Sequence, residues 1–197
     1  MHRDLRHDAL RVGQPGDAVD GAVEAGTLRE RNGVWQLRGR TAITSELASL
    51  LEGRIDRLDA EVLTVLQYLS LCEPASLDVL TELVGDTAVE RAEALELVRI
   101  VREGGALRVQ YTHPLFGEVI RRRLGSLTAR RLRGKLVSVL QAQGSRTAAD
   151  RILIADLGLD SDVAIAGDDL AAAANEALTL ANIPMAQRFA QAAVDSG

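Results

Sequence analysis

Apolar residues along this chain recur mainly at intervals of three and four, the spacing that gathers them on one face of an α-helix. The first clear run begins at Ser45, where Leu47, Leu50, Leu51, Ile55 and Leu58 share a stripe. A second follows at once: Asp59 is placed to cap it, Val62, Leu63, Leu66 and Leu69 line its inner side, and Pro74 closes it. Together they predict an antiparallel helical pair. Ser76 then heads a short helix carrying Leu77, Leu80 and Leu83, and Gly85 with Asp86 supplies a turn. Thr87 and Glu90 have the spacing of a capping box, which predicts a third helix running to Val98.

After Ile100 and Val101 the period changes to two. Glu103-Gly104-Gly105 reads as a turn, and Leu107, Val109 and Tyr111 alternate with Arg108, Gln110 and Thr112, so a small β-hairpin is expected. Pro114 suits the first turn of the next helix, with Leu115, Val119, Ile120 and Leu124 inward and Gly125 at its end. Leu132, Leu136 and Leu140 carry a further helix to Gly144, and the alanine-rich residues 168–182 and 184–194 predict two closely packed helices. Upstream, residues 17–25 read as a short helix. Leu28, Val34, Trp35 and Leu37 flank Arg31-Asn32-Gly33, a hairpin signal. The fold class predicted is mostly α: a winged-helix-like domain with a small β-hairpin, followed by a TPR-like helical hairpin segment.

Composition sharpens this picture. Of the 197 residues 47% are hydrophobic but only 3% aromatic, so the core must be built from Leu, Val, Ile and Ala. A formal net charge of −5 supplies no basic field for a polyanion. Residues 73–98 hold seven acids (Glu73, Asp78, Glu82, Asp86, Glu90, Glu93, Glu96) against one base, Arg91, a balance of −6. That opposes the alternative of an autonomous winged-helix DNA-binding regulator with its third helix in a major groove. The single cysteine, Cys72, has no intrachain partner and lies in an apolar helical run, as expected for a buried, inert thiol. Neither a signal peptide nor a long apolar run is visible, so the expected compartment is the cytoplasm, with no membrane partner.

Candidate chemistry is sparse. Three histidines, one cysteine and scattered carboxylates form no nucleophile–base or metal-ligand motif, so no enzyme activity, catalytic residue or metal site is expected. A small helical enzyme using His113 with a carboxylate is the second alternative. His2 and His7 beside Asp4 and Asp8 read as a solvated terminus, and Asp156, Asp160, Asp162, Asp168 and Asp169 read as turns and helix caps, without calcium-loop spacing. The basic cluster is Arg121, Arg122, Arg123, Arg130, Arg131, Arg133 and Lys135, a candidate phosphate contact or a solvated helix exterior.

Two blocks within residues 47–143, LEGRIDRLDAEVLTVLQYLSLCEPASLDVLTELVG and VQYTHPLFGEVIRRRL, with AGTLRERNGVWQLRG upstream, carry a resemblance. They are similar to the region after the ATPase core in LuxR-type, MalT-like transcriptional regulators of the STAND class. The resemblance implies that residues 1–44 are the remnant of an ATPase C-terminal region with its hairpin, residues 45–125 a winged-helix-like domain, and residues 126–197 the start of a TPR-like array. The chain departs from the whole-protein pattern: it holds no G-x-x-x-x-G-K-[ST] phosphate loop, and it stops before the place of the family's C-terminal helix-turn-helix. No cofactor is therefore expected in this fragment, ATP or ADP being implied only for the intact family member. Its implied role is non-catalytic: to transmit nucleotide state between ATPase and sensor repeats, with the missing ATPase domain or another protein as partner. No specific DNA binding is expected from this chain alone. For His113, in THPLF, the residues alone suggest local capping before an N1 proline. The resemblance implies a nucleotide-sensing histidine, with Arg121 and Arg122 as candidate interdomain or phosphate contacts.

Overall fold

The computed structural model describes residues 28–31, 34–37, 45–144 and 147–196. The chain divides into two units, Met1–Thr44 and Ser45–Gly197. In the first, strands β1 (Leu28–Arg31) and β2 (Val34–Leu37) pair antiparallel, Leu28 opposite Leu37 and Arg31 opposite Val34; Asn32 and Gly33, where the turn is expected, lie outside the described residues. The helix expected at 17–25 and the His2/His7 group lie outside the described residues.

The second unit is mostly helical with one small three-stranded antiparallel sheet. Helix α1 (Ser45–Ile55) leads into α2 (Ala60–Cys72), whose start is fixed by Asp59: its Oδ1 accepts from the Glu61 and Val62 amides at 3.1 and 2.9 Å. Val62, Val65, Leu66 and Leu69 are fully buried, and Pro74 follows the helix end as expected. Among the described residues the expected α1–α2 pair makes at most slight contact. Helix α1 packs against α5 (Pro114–Arg123) instead, leaving Leu50 73% exposed. Ile55 is buried, while Arg54 donates to the Leu95 carbonyl at 2.6 Å and lies 5.4 Å from the Phe116 ring centroid, so α1 is held by an apolar residue and a cation together.

Strand β3 (Ala75–Ser76), helix α3 (Leu77–Val84) and helix α4 (Asp86–Ala94) come next. Ser76 makes no side-chain cap; its backbone pairs with Arg108 in the sheet. The Thr87–Glu90 capping box is also absent: α4 begins at Asp86, placing Thr87 within its first turn, and Gly85 at φ +82 makes the break. The helix ends at Ala94 rather than Val98, since Val98 opens strand β4 (Val98–Glu103) opposite Tyr111 of β5 (Ala106–Tyr111). Gly104 and Gly105, at φ +56 and +87, form the two-residue turn between them. Strand order is β3-β5-β4, with β5 central.

Helix α6 (Ser126–Gln143) starts directly after α5, so Gly125 precedes α6 as its N-cap rather than closing α5. A helix that the hydrophobic spacing did not announce, α7 (Ala148–Leu159), opens with a full capping box. Thr147 Oγ1 accepts from the Asp150 amide at 3.1 Å, and Asp150 Oδ2 accepts from the Thr147 amide at 2.9 Å. Helices α8 (Gly167–Thr179) and α9 (Ile183–Asp195) form the expected alanine-packed pair, with Ala173, Ala177 and Phe189 fully buried. Ion pairs tie this end together: Arg151 of α7 with Glu176 of α8, and Arg188 of α9 with Asp156 of α7 and Asp160 at its C-cap, each at 2.7 Å. Two of the five clustered aspartates are thereby internal partners.

The core centres on α2, against which α3, α4, α5, α6 and β5 pack. Tyr111 locks it to the sheet. Its hydroxyl donates to the Leu66 carbonyl at 2.5 Å, and its amide donates to Glu73 Oε1 at 2.9 Å. Gly117 permits the close approach of α5, since a Cβ there would lie 2.9 Å from the Tyr111 ring. Among the described residues no helix is long and apolar enough to cross a membrane.

Candidate interdomain site

His113 ends the extended run of β5 and begins α5. Its backbone is extended (φ −131, ψ 123), its Nδ1 accepts from the Leu115 amide at 3.3 Å, and its carbonyl accepts from Phe116 at 3.1 Å. Pro114 at the helix start lacks the amide that would otherwise need a partner. The side chain thus makes the local cap that the residues alone suggested. Because Nδ1 accepts, the neutral ring carries its proton on Nε2. The residue is exposed, and among the described residues Nε2 has no partner, so one donor faces outward.

Arg121 and Arg122 lie in the last turn of the same helix, where cations offset the negative end of its dipole. Glu118 engages both, Oε2 with Arg121 at 3.6 Å and Oε1 with Arg122 Nε at 3.1 Å. Arg121 also donates to the Ser70 carbonyl at 3.4 Å, and Arg123 pairs with Asp56. The structure does not gather His113 and the two arginines at one point: eight residues of helix separate His113 from Arg121, roughly 12 Å at 1.5 Å per residue. They stand at opposite ends of one helix. Glu118, missed as a member of this set, was readable from its i+3 and i+4 spacing to the two arginines.

The rest of the basic cluster belongs to α6, where Arg130, Arg131 and Lys135 are exposed and, among the described residues, make no ion pair. The one base of α4 is differently placed. Arg91 pairs with Asp59 at 2.6 Å and approaches Glu61 at 3.9 Å, while Asp86, Glu90, Glu93 and Glu96 are exposed around it. The Val62 amide bond, supported by Arg91, holds the Asp59 carboxyl below its ordinary range. Helix α4 therefore offers a DNA backbone only like charge. A polarisation titration of the chain with duplex DNA at low and moderate salt is expected to show no sequence-selective binding; a salt-steep isotherm abolished by Arg91→Ala or Arg99→Ala would contradict this.

Cys72 is buried, its Sγ within 3.3 Å of the Tyr68 carbonyl, and burial pushes the thiol up to about 12, which leaves negligible thiolate at neutral pH. Among the described residues no group of three or more His, Cys, Asp or Glu side chains is arranged to hold a metal ion. Comparison of the chain with protein-family models, curated proteins and solved structures gave no match.

Proposed function

We propose that the chain is a non-catalytic regulatory segment of a LuxR-type STAND regulator, relaying nucleotide state from an ATPase domain to helical sensor repeats. The observation that carries this reading is topological. Helix α2, strand β3, helices α3 and α4, and the β4–β5 hairpin with β5 central follow the order of a winged helix, and helices α6–α9 continue from it. In this reading residues 45–125 are the winged-helix-like domain, residues 126–197 the start of a TPR-like array, and residues 1–44 the end of an ATPase region. An acidic α4 suits a winged helix used for contact between domains rather than for DNA.

His113 then has two roles on two nitrogens: Nδ1 caps α5, and Nε2–H donates to the diphosphate of ADP in the intact protein's closed state. A contact made in the closed state and lost in the open one biases the equilibrium by its own free energy. Arg121 and Arg122 form a second interdomain contact further along α5.

In the intact regulator containing this segment, His113→Ala is expected to speed release of a fluorescent ADP analogue by about 10-fold or more, the worth of one hydrogen bond to a charged group. His113→Asn retains an acceptor at the N-cap position and is expected to release ADP equally fast with an unchanged Tm. Unchanged ADP release, with Tm lowered in the alanine variant alone, would leave His113 only its cap.

A further inference from the structure

A cleft of about 620 Å³ lies between the sheet with the start of α3 and the α6–α7 pair, on residues distinct from His113, Arg121 and Arg122. Its apolar lining includes Cys72, Val79, Leu136, Leu140 and Leu153, drawn from four different helices. A smaller hollow of about 480 Å³ shares Cys72, Arg108 and Leu153 with it. The larger volume falls within the roughly 300–1,000 Å³ of small-molecule sites, which occur preferentially where separate structural layers meet.

One cation lines both hollows. Arg108 projects from the central strand β5 and is half-buried, yet among the described residues its guanidinium has no ion pair or hydrogen bond. Three nearby carboxylates accept from other donors, Glu73 from the Tyr111 amide at 2.9 Å, Glu103 from Gln110 at 2.8 Å and Asp150 from the Thr147 amide at 2.9 Å, and the exposed Asp78 lines the cleft without a salt bridge to Arg108. A partly desolvated guanidinium whose N–H groups have no direct partner is an unmet hydrogen-bonding demand, and its planar fork matches a carboxylate.

We infer that this cleft binds a small amphipathic monocarboxylate, its carboxylate on Arg108 and its aliphatic or aromatic body against Leu136, Leu140 and Leu153. The ligand would touch the sheet and the α6–α7 pair together, fixing one against the other. The site needs no nucleotide and no ATPase partner.

Calorimetric titration of the full chain with decanoate and with 2-naphthoate tests it, the two acids separating an aliphatic from an aromatic ligand class. One of them is expected to bind at one site per chain and to raise Tm, with the matching alcohol at least about 10-fold weaker. Arg108→Gln should weaken the acid by a similar factor, Arg108→Lys by less, and Leu140→Trp, which fills the cleft from a half-buried position, should abolish binding. Circular dichroism of each variant confirms that it folds. No binding of either acid up to millimolar concentration, equal binding of acid and alcohol, or full affinity in a folded Arg108→Gln chain would each overturn the proposal.

Discussion

Tyr111→Ala is expected to destabilise the chain by about 3–5 kcal/mol, the range for removing a buried aromatic side chain. The residue is 2% exposed and ties sheet, α2 and α5 together, through its hydroxyl bond to Leu66, its amide bond to Glu73 and its ring against Gly117. Alanine would open a cavity beneath Gly117 and leave the Leu66 carbonyl without its second donor. Tyr111→Phe separates the terms: it keeps the ring and loses only the hydroxyl, for about 1–2 kcal/mol. Urea unfolding at pH 7 followed by circular dichroism measures both. A phenylalanine variant as stable as the parent would mean that the hydroxyl bond contributes nothing, and an alanine variant costing under about 1 kcal/mol would remove Tyr111 from the core.

Alkaline pH is expected to destabilise the chain well before its arginines titrate. Burial raises Cys72 from its ordinary value of 9.0 to about 12, and burial, followed by the Glu73 charge, raises Tyr111 above its ordinary 10.0. Each group keeps its proton in the folded state after the unfolded chain has lost it. Stability is therefore intact below pH 9, falls as pH rises through the unfolded values, and levels off for Cys72 only near 12. Each group contributes a slope of about 1.4 kcal/mol per pH unit within its window, so the pair removes about 4 kcal/mol between pH 8 and 11. Urea melts across this range should show the loss. Cys72→Ala should flatten the profile by nearly one proton from pH 9 upward; an unchanged slope would show that the thiol ionises as easily folded as unfolded.

Much of this architecture is legible in the pattern of residues, and the exceptions share a physical cause. Helices α2, α5 and α6 announce themselves because their signals are local: Asp59 before an apolar face, Pro114 at a first turn, Gly144 at φ +79 after a last one. Helix α7 carried its signal too, but with Asp150 in the place of the commoner glutamate, ahead of an acidic stretch that invites a different reading. The end of α4 is not local at all. Leu95, Leu97 and Val98 keep helical spacing, and only the pairing of Val98 with Tyr111, thirteen residues on, claims that segment for the sheet. Strand β3, two residues long, exists solely through its partner. The candidate site divides the same way. The cap by His113 and the Glu118–arginine pairs are near in sequence, whereas the Arg91–Asp59 pair and the cleft around Arg108 require the tertiary fold.

The strand order has a consequence for solubility. With β5 in the middle, β4 is hydrogen-bonded on one side only among the described residues, and an unpaired backbone edge is a template for a strand from another molecule. Three of its six residues, Arg99, Arg102 and Glu103, are charged and exposed. An incoming identical strand would bring those same charges against them or strip their water, so the edge is guarded where a run of valine and isoleucine would invite edge-to-edge aggregation.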